Sequence, residues 1–243
     1  MRIDVLTIFP EMFKGFLSES IIKRAIEKGN LEVNLHDFRE FSLNKHFKVD
    51  DTPYGGGQGM VLKIEPIYAC LKSIDNHEKA LKILMSPQGE VFKQQKAAEL
   101  SKIDHLIILC GHYEGFDERI RSLVDVEISI GDYVLTGGEL GSMIIIDSVS
   151  RLLGGVLGNE LSHMHDSFSN GLLEGPQYTR PVEFEGMKVP DILLSGHHKN
   201  IEEYRKFESM KRTFLRRPDL LSELNESDEL ILESVRKSLD LEK

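Results

Sequence analysis

Cysteine is scarce in this chain: its 243 residues include only Cys70 and Cys110. Both sit in apolar surroundings, IYACL and IILCG, and fit inert buried thiols better than a disulfide. Long hydrophobic runs are also missing, since no stretch approaches the ~20 apolar residues of a membrane-spanning helix. No membrane partner is expected. The opening MRIDVLTIFPEMF lacks the extended apolar core and small-residue cleavage site of a signal peptide, so a cytoplasmic location is expected. Basic residues are in deficit, 30 Lys/Arg against 40 Asp/Glu, and the net charge of −10 argues against a protein that coats nucleic acid over its whole surface. Several catalytic signatures are absent too. No G-x-S-x-G marks a nucleophilic serine, and neither cysteine has an electropositive setting. His163 with His165, and His197 with His198, have no cysteine nearby and no i, i+4 spacing. They read as linker and surface histidines, and no metal site is expected.

Hydrophobic residues at 40% and charged residues at 29% suit an ordinary globular chain, long enough for one large domain or a main domain with a smaller one. Arg2 to Phe9 reads as a strand stopped by Pro10, and Glu11 to Lys28 as a helix closed by Gly29-Asn30. Leu31 to Phe38 alternates with period two, as a half-buried strand does. Helices are expected over Glu65 to Ile74 and Val91 to Leu100, and strands over Ala80 to Met85 and His105 to Cys110, with SPQG a turn. The last of these strands has almost no polar residue, which places it in the middle of a parallel sheet covered on both faces. Strands alternating with helices make an α/β domain.

Glycine is concentrated where it matters, with seven of the 20 falling between Ile130 and Asn159. Thr136-Gly-Gly-Glu139 has the spacing of a capping box, so a helix is expected from near Gly137 to a stop before Gly154-Gly155. Met143, Ile144, Ile145, Ile146 and Val149 make it apolar nearly all round, as in a helix packed between layers or against a partner subunit. Asp147 and Arg151 are its polar exceptions. Three glycine loops, YGGGQG (54–59), GHYEG (111–115) and GDYVLTGG (131–138), follow strand-like or extended segments. None matches a P-loop or a dinucleotide fingerprint. Taken together they mark a ligand site at the carboxyl ends of parallel strands.

Beyond Asn159 turn formers dominate and Glu160 to Asn170 reads as a linker. From Asp191 onward the pattern is helical, forming a small second domain. Gly196 to Arg217 holds seven Lys/Arg against three acids, a net +4, whereas Pro218 to Lys243 holds eight acids against three bases, a net −5. The basic stretch reads either as a solvated amphipathic helix or as an electrostatic grip.

The motifs PYGGGQGM, SPQG, GHYEGFDERI, SIGDYVLTGGEL, IDSVSR, GVLGNE, DSF, GLLEGPQYTRP, VPDILLSGHH and FLRRPDLL fall in the order and spacing of the bacterial tRNA (guanine-N1)-methyltransferases, and the chain resembles this TrmD family of the SPOUT superfamily as far as about Leu220. The resemblance implies an α/β SPOUT fold with a parallel sheet and a C-terminal trefoil knot, plus a small α-helical C-terminal domain. The divisions would be 1–159 catalytic, 160–170 linker and 171–243 tRNA-binding. It implies methyl transfer from S-adenosyl-L-methionine to N1 of guanosine 37 in tRNA, just 3′ of the anticodon, by a homodimer with sites at the subunit interface.

Carried over by position, the donor would bind Met85, Ser86, Pro87, Gly111, Tyr113, Glu114, Ile130, Gly131, Tyr133, Leu135, Gly137 and Gly138. Arg151 and Asp166 match the family's catalytic pair. The guanine and the anticodon stem-loop would meet Asp50, Pro53, Gly55, Gly56, Gly57 and Gly59, and Lys199, Arg212, Arg216 and Arg217. A magnesium (Mg2+) dependence is implied as well, although the sequence shows no dedicated carboxylate cage. Two positions depart from the usual pattern: Gly141 stands where many members carry Pro, and His112 where others carry Arg. The alternatives are a SPOUT enzyme acting on another RNA nucleotide, a non-catalytic RNA-binding factor and a generic nucleotide-binding enzyme.

Overall fold

Two apolar runs, VLT near the start and HLIIL from His105, become neighbouring strands, and the rest of the sheet is laid beside them. In the computed structural model, which describes residues 1–157, 166–222 and 224–241, the chain divides into two compact units, Met1–Glu160 and Leu161–Lys243. The expected boundary at 159, linker residues 160–165, and His163 and His165 lie outside the described residues.

The first unit contains β1 (Arg2–Thr7), α1 (Lys14–Leu17), α2 (Ser20–Glu27), β2 (Glu32–Asp37), β3 (Asp50–Asp51), β4 (Val61–Leu62), α3 (Ile64–Ser73), β5 (Leu81–Val91), α4 (Gln94–Leu100), β6 (His105–Leu109), β7 (Val126–Ser129) and α5 (Glu139–Ser150). Five strands form one sheet in the order β2-β1-β6-β5-β7, every pairing parallel. The apolar strand β6 is its centre. Alternation of side chains splits the core in two. Ile3, Val5, Leu106 and Ile108 pack with Phe13, Ile22, Ile145 and Val149 on one face. Leu6, Leu84, Ile107 and Leu109 pack with Ile67, Leu71 and Ile120 on the other. Cys70 and Cys110 are buried free thiols. Burial pushes Cys70 up to about 12 and raises Cys110 as well, so neither is a nucleophile at neutral pH.

Three expectations need correction. The helix expected over 11–28 is three pieces: a 3-10 turn at Pro10–Phe13, then α1 and α2. Ser20 adopts a left-handed φ of 54°, and this resets the helical phase so that Phe13, Ile22 and Ala25 all reach the core. SPQG is not a plain turn after a strand. Met85 and Glu90 both pair with Ile128, so the intervening residues form a bulge inside the longer β5. Gly89 sits in that bulge because a Cβ there would lie 2.4 Å from the Glu127 carbonyl carbon.

The third correction concerns the capping box, which does not form. Gly138 is the N-cap of α5, no side chain caps the helix, and Glu139 turns into the protein. Its Oε1 accepts from Thr7 Oγ1 at 2.6 Å and its Oε2 lies 2.7 Å from His112 Nε2. A carboxylate that is 1% exposed takes these strong buried partners in preference to solvated backbone amides.

The second unit contains the hairpin β8 (Glu183–Phe184) and β9 (Met187–Lys188), then α6 (Asp191–Leu194), α7 (His198–Arg216) and α8 (Glu226–Leu241). Among the described residues, its buried apolar side chains are Leu172, Met210, Leu232 and Val235. The stop expected at Pro218 holds, and a 3-10 turn at Pro218–Leu221 separates the two long helices.

Candidate active site

The bulge inside β5 and the loops that leave the carboxyl ends of β6 and β7 surround a cavity of about 480 Å³. Parallel strands deliver all their loops to one edge, so ligands gather there. The lining comes from 85–88 at the bulge inside β5, 111–116 after β6 and 128–138 around the end of β7. All twelve residues assigned to the donor, from Met85 to Gly138, are brought together on this wall.

The glycines are required by proximity. Gly138 donates its N–H to the Gly111 carbonyl at 2.9 Å, and residues 112 and 137 form a bridge. A Cβ on Gly138 would stand 2.8 Å from Cys110 Cα and 3.0 Å from the Gly111 nitrogen. A Cβ on Gly137 would stand 2.2 Å from His112 Nε2. The loop after β7 is therefore pressed against the loop after β6, backbone to backbone. Gly141 lies within the first turn of α5, where a Cβ would meet the flexible Met85 terminus. The helix start stays ordered without Pro, since Ser142 N–H already bonds the Gly138 carbonyl at 2.9 Å.

Sequence reasoning missed part of this wall. His112 and Thr136 line it and lie within loops singled out by their glycines, and Gln88 lines it from the SPQG segment read as a turn. Glu118 and Arg121 line it too, but nothing local in the sequence points to them. Arg121 is paired with Glu118 at 2.9 Å and with Glu127 in a still shorter contact. The Thr7–Glu139–His112 chain was also missed, because it joins residues 132 apart.

The residues assigned to the target nucleotide lie beside the cavity, not in it. Asp50 belongs to β3, paired with β4, and β4 is strapped to the loop after β6 by Leu62 N–H to Gly115 O and Asp117 N–H to Leu62 O, both 2.9 Å. The glycine loop between β3 and β4 carries Gly55, Gly56, Gly57 and Gly59 at positive φ. Gly59 runs so close to Glu114 that a Cβ would meet its Cγ at 2.3 Å. Pro53 opens that loop, its carbonyl accepting from Gly56 at 3.2 Å.

Arg151 is the half-buried C-cap of α5. Asp166 belongs to the second unit and opens a turn in which its carbonyl accepts the Ser169 N–H at 3.2 Å. Along α7, Arg212 Nη1 donates to the Glu174 carbonyl at 3.1 Å. Arg217 clasps Asp219 at 2.8 and 2.6 Å. Lys199 is 3.9 Å from Glu203 with its side chain 87% exposed, and Arg216 is exposed.

The sequence matches the family described as tRNA (Guanine-1)-methyltransferase TrmD over residues 1–223. It is 64% identical over 225 residues to a Geobacillus kaustophilus protein named tRNA (guanine-N(1)-)-methyltransferase, covering 92% of both chains. Relatives of the same name from Halalkalibacterium halodurans and Staphylococcus aureus are 60% and 57% identical over 242 residues, covering at least 98% of each chain. No helix among the described residues is long and apolar enough to cross a membrane. A match across nearly the whole chain, with the site loops inside it, means that the chain belongs to the tRNA (guanine-1)-methyltransferase TrmD family.

Proposed function

We propose that this chain methylates N1 of guanosine 37 in tRNA, using S-adenosylmethionine bound in the three-loop cavity. The observation that carries the reading is the convergence of all twelve expected donor residues on one cavity at the carboxyl edge of the sheet. The cavity fits the donor chemically. Its volume is that of a small-molecule site, and its wall alternates apolar residues such as Met85, Ile128 and Leu135 with open backbone at Gly111, Gly131 and Gly137. It has no glycine-Lys-Ser/Thr cradle, in keeping with a ligand that carries no phosphate.

When bound, the donor supplies a methyl carbon made electrophilic by its sulfonium. The chain's own residues supply the rest. Guanine N1 carries a proton at neutral pH, and Asp166 is the base that takes it as N1 closes on the methyl carbon. Negative charge then develops toward O6, where the permanently charged Arg151 stabilises it. The basic face of α7, with Lys199 and Arg216 exposed, grips phosphates of the anticodon stem in a salt-dependent way.

The reading extends to assembly. α5 is buried through Ile145, Ile146 and Val149, yet leaves Leu140 50% and Ile144 42% exposed. An apolar stripe on a helix of this kind suits a second copy of the chain, as in a homodimer with interfacial sites. The pressing of the 131–138 loop against the 111–116 loop accords with a trefoil knot of the SPOUT type, and α7 and α8 with a small helical tRNA-binding domain. The test is methyl transfer to paired transcripts that differ only in guanine or adenine after the anticodon. Incorporation into the guanine transcript alone, recovered as N1-methylguanosine, is expected. Equal labelling of both, or of neither, would overturn the reading.

A further inference from the structure

The turn that begins at Asp166 is fastened to α7 by two hydroxyls and a guanidinium of that helix. Leu173 has both backbone groups taken by hydroxyls of that helix: its N–H donates to Thr213 Oγ1 at 2.9 Å, and its carbonyl accepts from Ser209 Oγ at 2.6 Å. Thr213 is fully buried, and its own hydroxyl proton goes to the Ser209 carbonyl at 2.8 Å. The next residue continues the tie, since the Glu174 carbonyl accepts from Arg212 and its N–H donates to Ser167 Oγ at 3.0 Å. Ser167 adjoins Asp166. The loop between is closed on itself, with Phe168 N–H on the Leu172 carbonyl at 2.7 Å and Ser169 N–H on the Asp166 carbonyl at 3.2 Å. Leu172 buries its side chain with Met210 of the same helix.

We infer that Thr213 and Ser209 are positioning residues for methyl transfer, holding the 166–174 turn on α7 so that the Asp166 carboxylate is presented in one place. The inference rests on the reading of Asp166 as the general base. Its physical ground is that Leu173, which is half-buried, lacks a secondary-structure ladder to satisfy its peptide groups, and peptide groups withdrawn from water demand partners. Two hydroxyls one helical turn apart supply both partners at once. A Cβ placed on Gly175 would stand 3.1 Å from the Arg205 carbonyl, so the segment runs directly against the helix backbone, too close for a water layer. The helix that carries the exposed cations and the turn that carries the base thus form one piece. A base displaced by about 1 Å loses on the order of a hundredfold in rate, which makes the fastening a term in turnover and not only in folding.

The test is single-turnover methyl transfer by the full chain at saturating tRNA and donor, in wild type, Thr213→Val, Thr213→Ser, Asp166→Asn and the double variant Asp166→Asn/Thr213→Val. Donor and tRNA affinities are measured in parallel. Thr213→Val, which keeps the shape and removes the hydroxyl, is expected to slow the saturated step about ten- to a hundredfold with both affinities within about twofold of wild type. Thr213→Ser restores the rate. Adding Thr213→Val to Asp166→Asn costs nothing further, because a positioning residue has no effect once the group it positions is gone. Ser209→Ala, run alongside, gives the same split should Thr213→Val fail to fold. Rate losses that multiply in the double variant would overturn the inference, as would a Thr213→Val defect confined to tRNA affinity. Wild-type turnover by Asp166→Asn would instead remove the reading of Asp166 itself, whereas a crippled Asp166→Asn beside a fully active Thr213→Val would remove only the fastening.

Discussion

The loops after β6 and β7 that wall the cavity meet backbone to backbone at Gly138 and Gly111, with no room for a Cβ on Gly138, whereas the Asp166 turn is held by hydroxyls and a guanidinium reaching across to a helix. The first arrangement sits on the edge of a five-stranded sheet whose central strand is buried on both faces. The second sits on a small core whose buried apolar members, among the described residues, are Leu172, Met210, Leu232 and Val235. Where the two loops meet, peptide groups pack directly and leave no room for an added atom on Gly138. A turn tied by side chains, each bond adding about 1 kcal/mol, yields to local opening far more readily. On the function proposed above, the donor would bind in the region held by backbone, and the base would be presented by the region held by side chains.

The comparison can be broken or sharpened by substitution. Apart from loss of the base itself, the largest effect is expected from Arg151→Ala, which should lower turnover by about 10²- to 10³-fold, some 3 to 4 kcal/mol of transition-state stabilisation, with donor affinity unchanged. A pure loss of donor affinity in calorimetry would recast Arg151 as part of the rigid wall. Next is Gly138→Val, whose side chain would collide with Cys110 Cα and Gly111 N. Donor affinity should fall by about a hundredfold, on the order of 3 kcal/mol. Wild-type donor binding in that variant would contradict the account of the wall.

A stability effect comes third. Asp4 on β1 is fully buried beneath Arg2, His36 and His105, with His36 and His105 Nε2 each 2.6 Å from its carboxylate. Burial pushes its pKa up, but the hydrogen bonds from His36, Arg2 and His105 outweigh burial and hold it at about 2. The folded value is below the ordinary 3.8, so the charged form stabilises the fold above pH ~4, and this stabilisation is lost as pH falls through ~2. Asp4→Asn should cost the first unit about 2 kcal/mol at pH 7. In denaturant titrations the gap from wild type should close as the pH is lowered from ~4 to ~2. A gap constant with pH would show that charge is not the cause. Lys199→Ala should have the smallest effect, a few-fold weaker tRNA binding and a salt slope reduced by about 1. An unchanged slope would exclude Lys199 from phosphate contact.

Much of the first unit was legible in the sequence, and the reasons are specific. His105 to Leu109 could be placed at the centre of the sheet because it has no face fit for water. Of the three glycine loops read as a site, GHYEG and GDYVLTGG line the cavity, whereas YGGGQG lies beside it, and SPQG, which does line it, has the local pattern of a plain turn. Glu139 was misread because Thr136-x-x-Glu139 is a valid local pattern, and the winning partners, Thr7 and His112, are distant in sequence. The break at Ser20 and the bulge at 86–89 were hidden for the same reason, since core packing and pairing with β7 decide them. In the second unit Thr213 and Ser209 look like ordinary polar residues of an amphipathic helix. Only the fold shows that both are spent on Leu173.

The central claim, that a rigid donor cavity works with a separately presented base at Asp166, is tested most directly by one comparison. Single-turnover methyl transfer to the guanine transcript is measured for wild type and Asp166→Asn, with donor and tRNA saturating. The account predicts a rate lower by about 10²- to 10⁴-fold in a variant that still binds both. A variant that binds both and transfers methyl at the wild-type rate would contradict it.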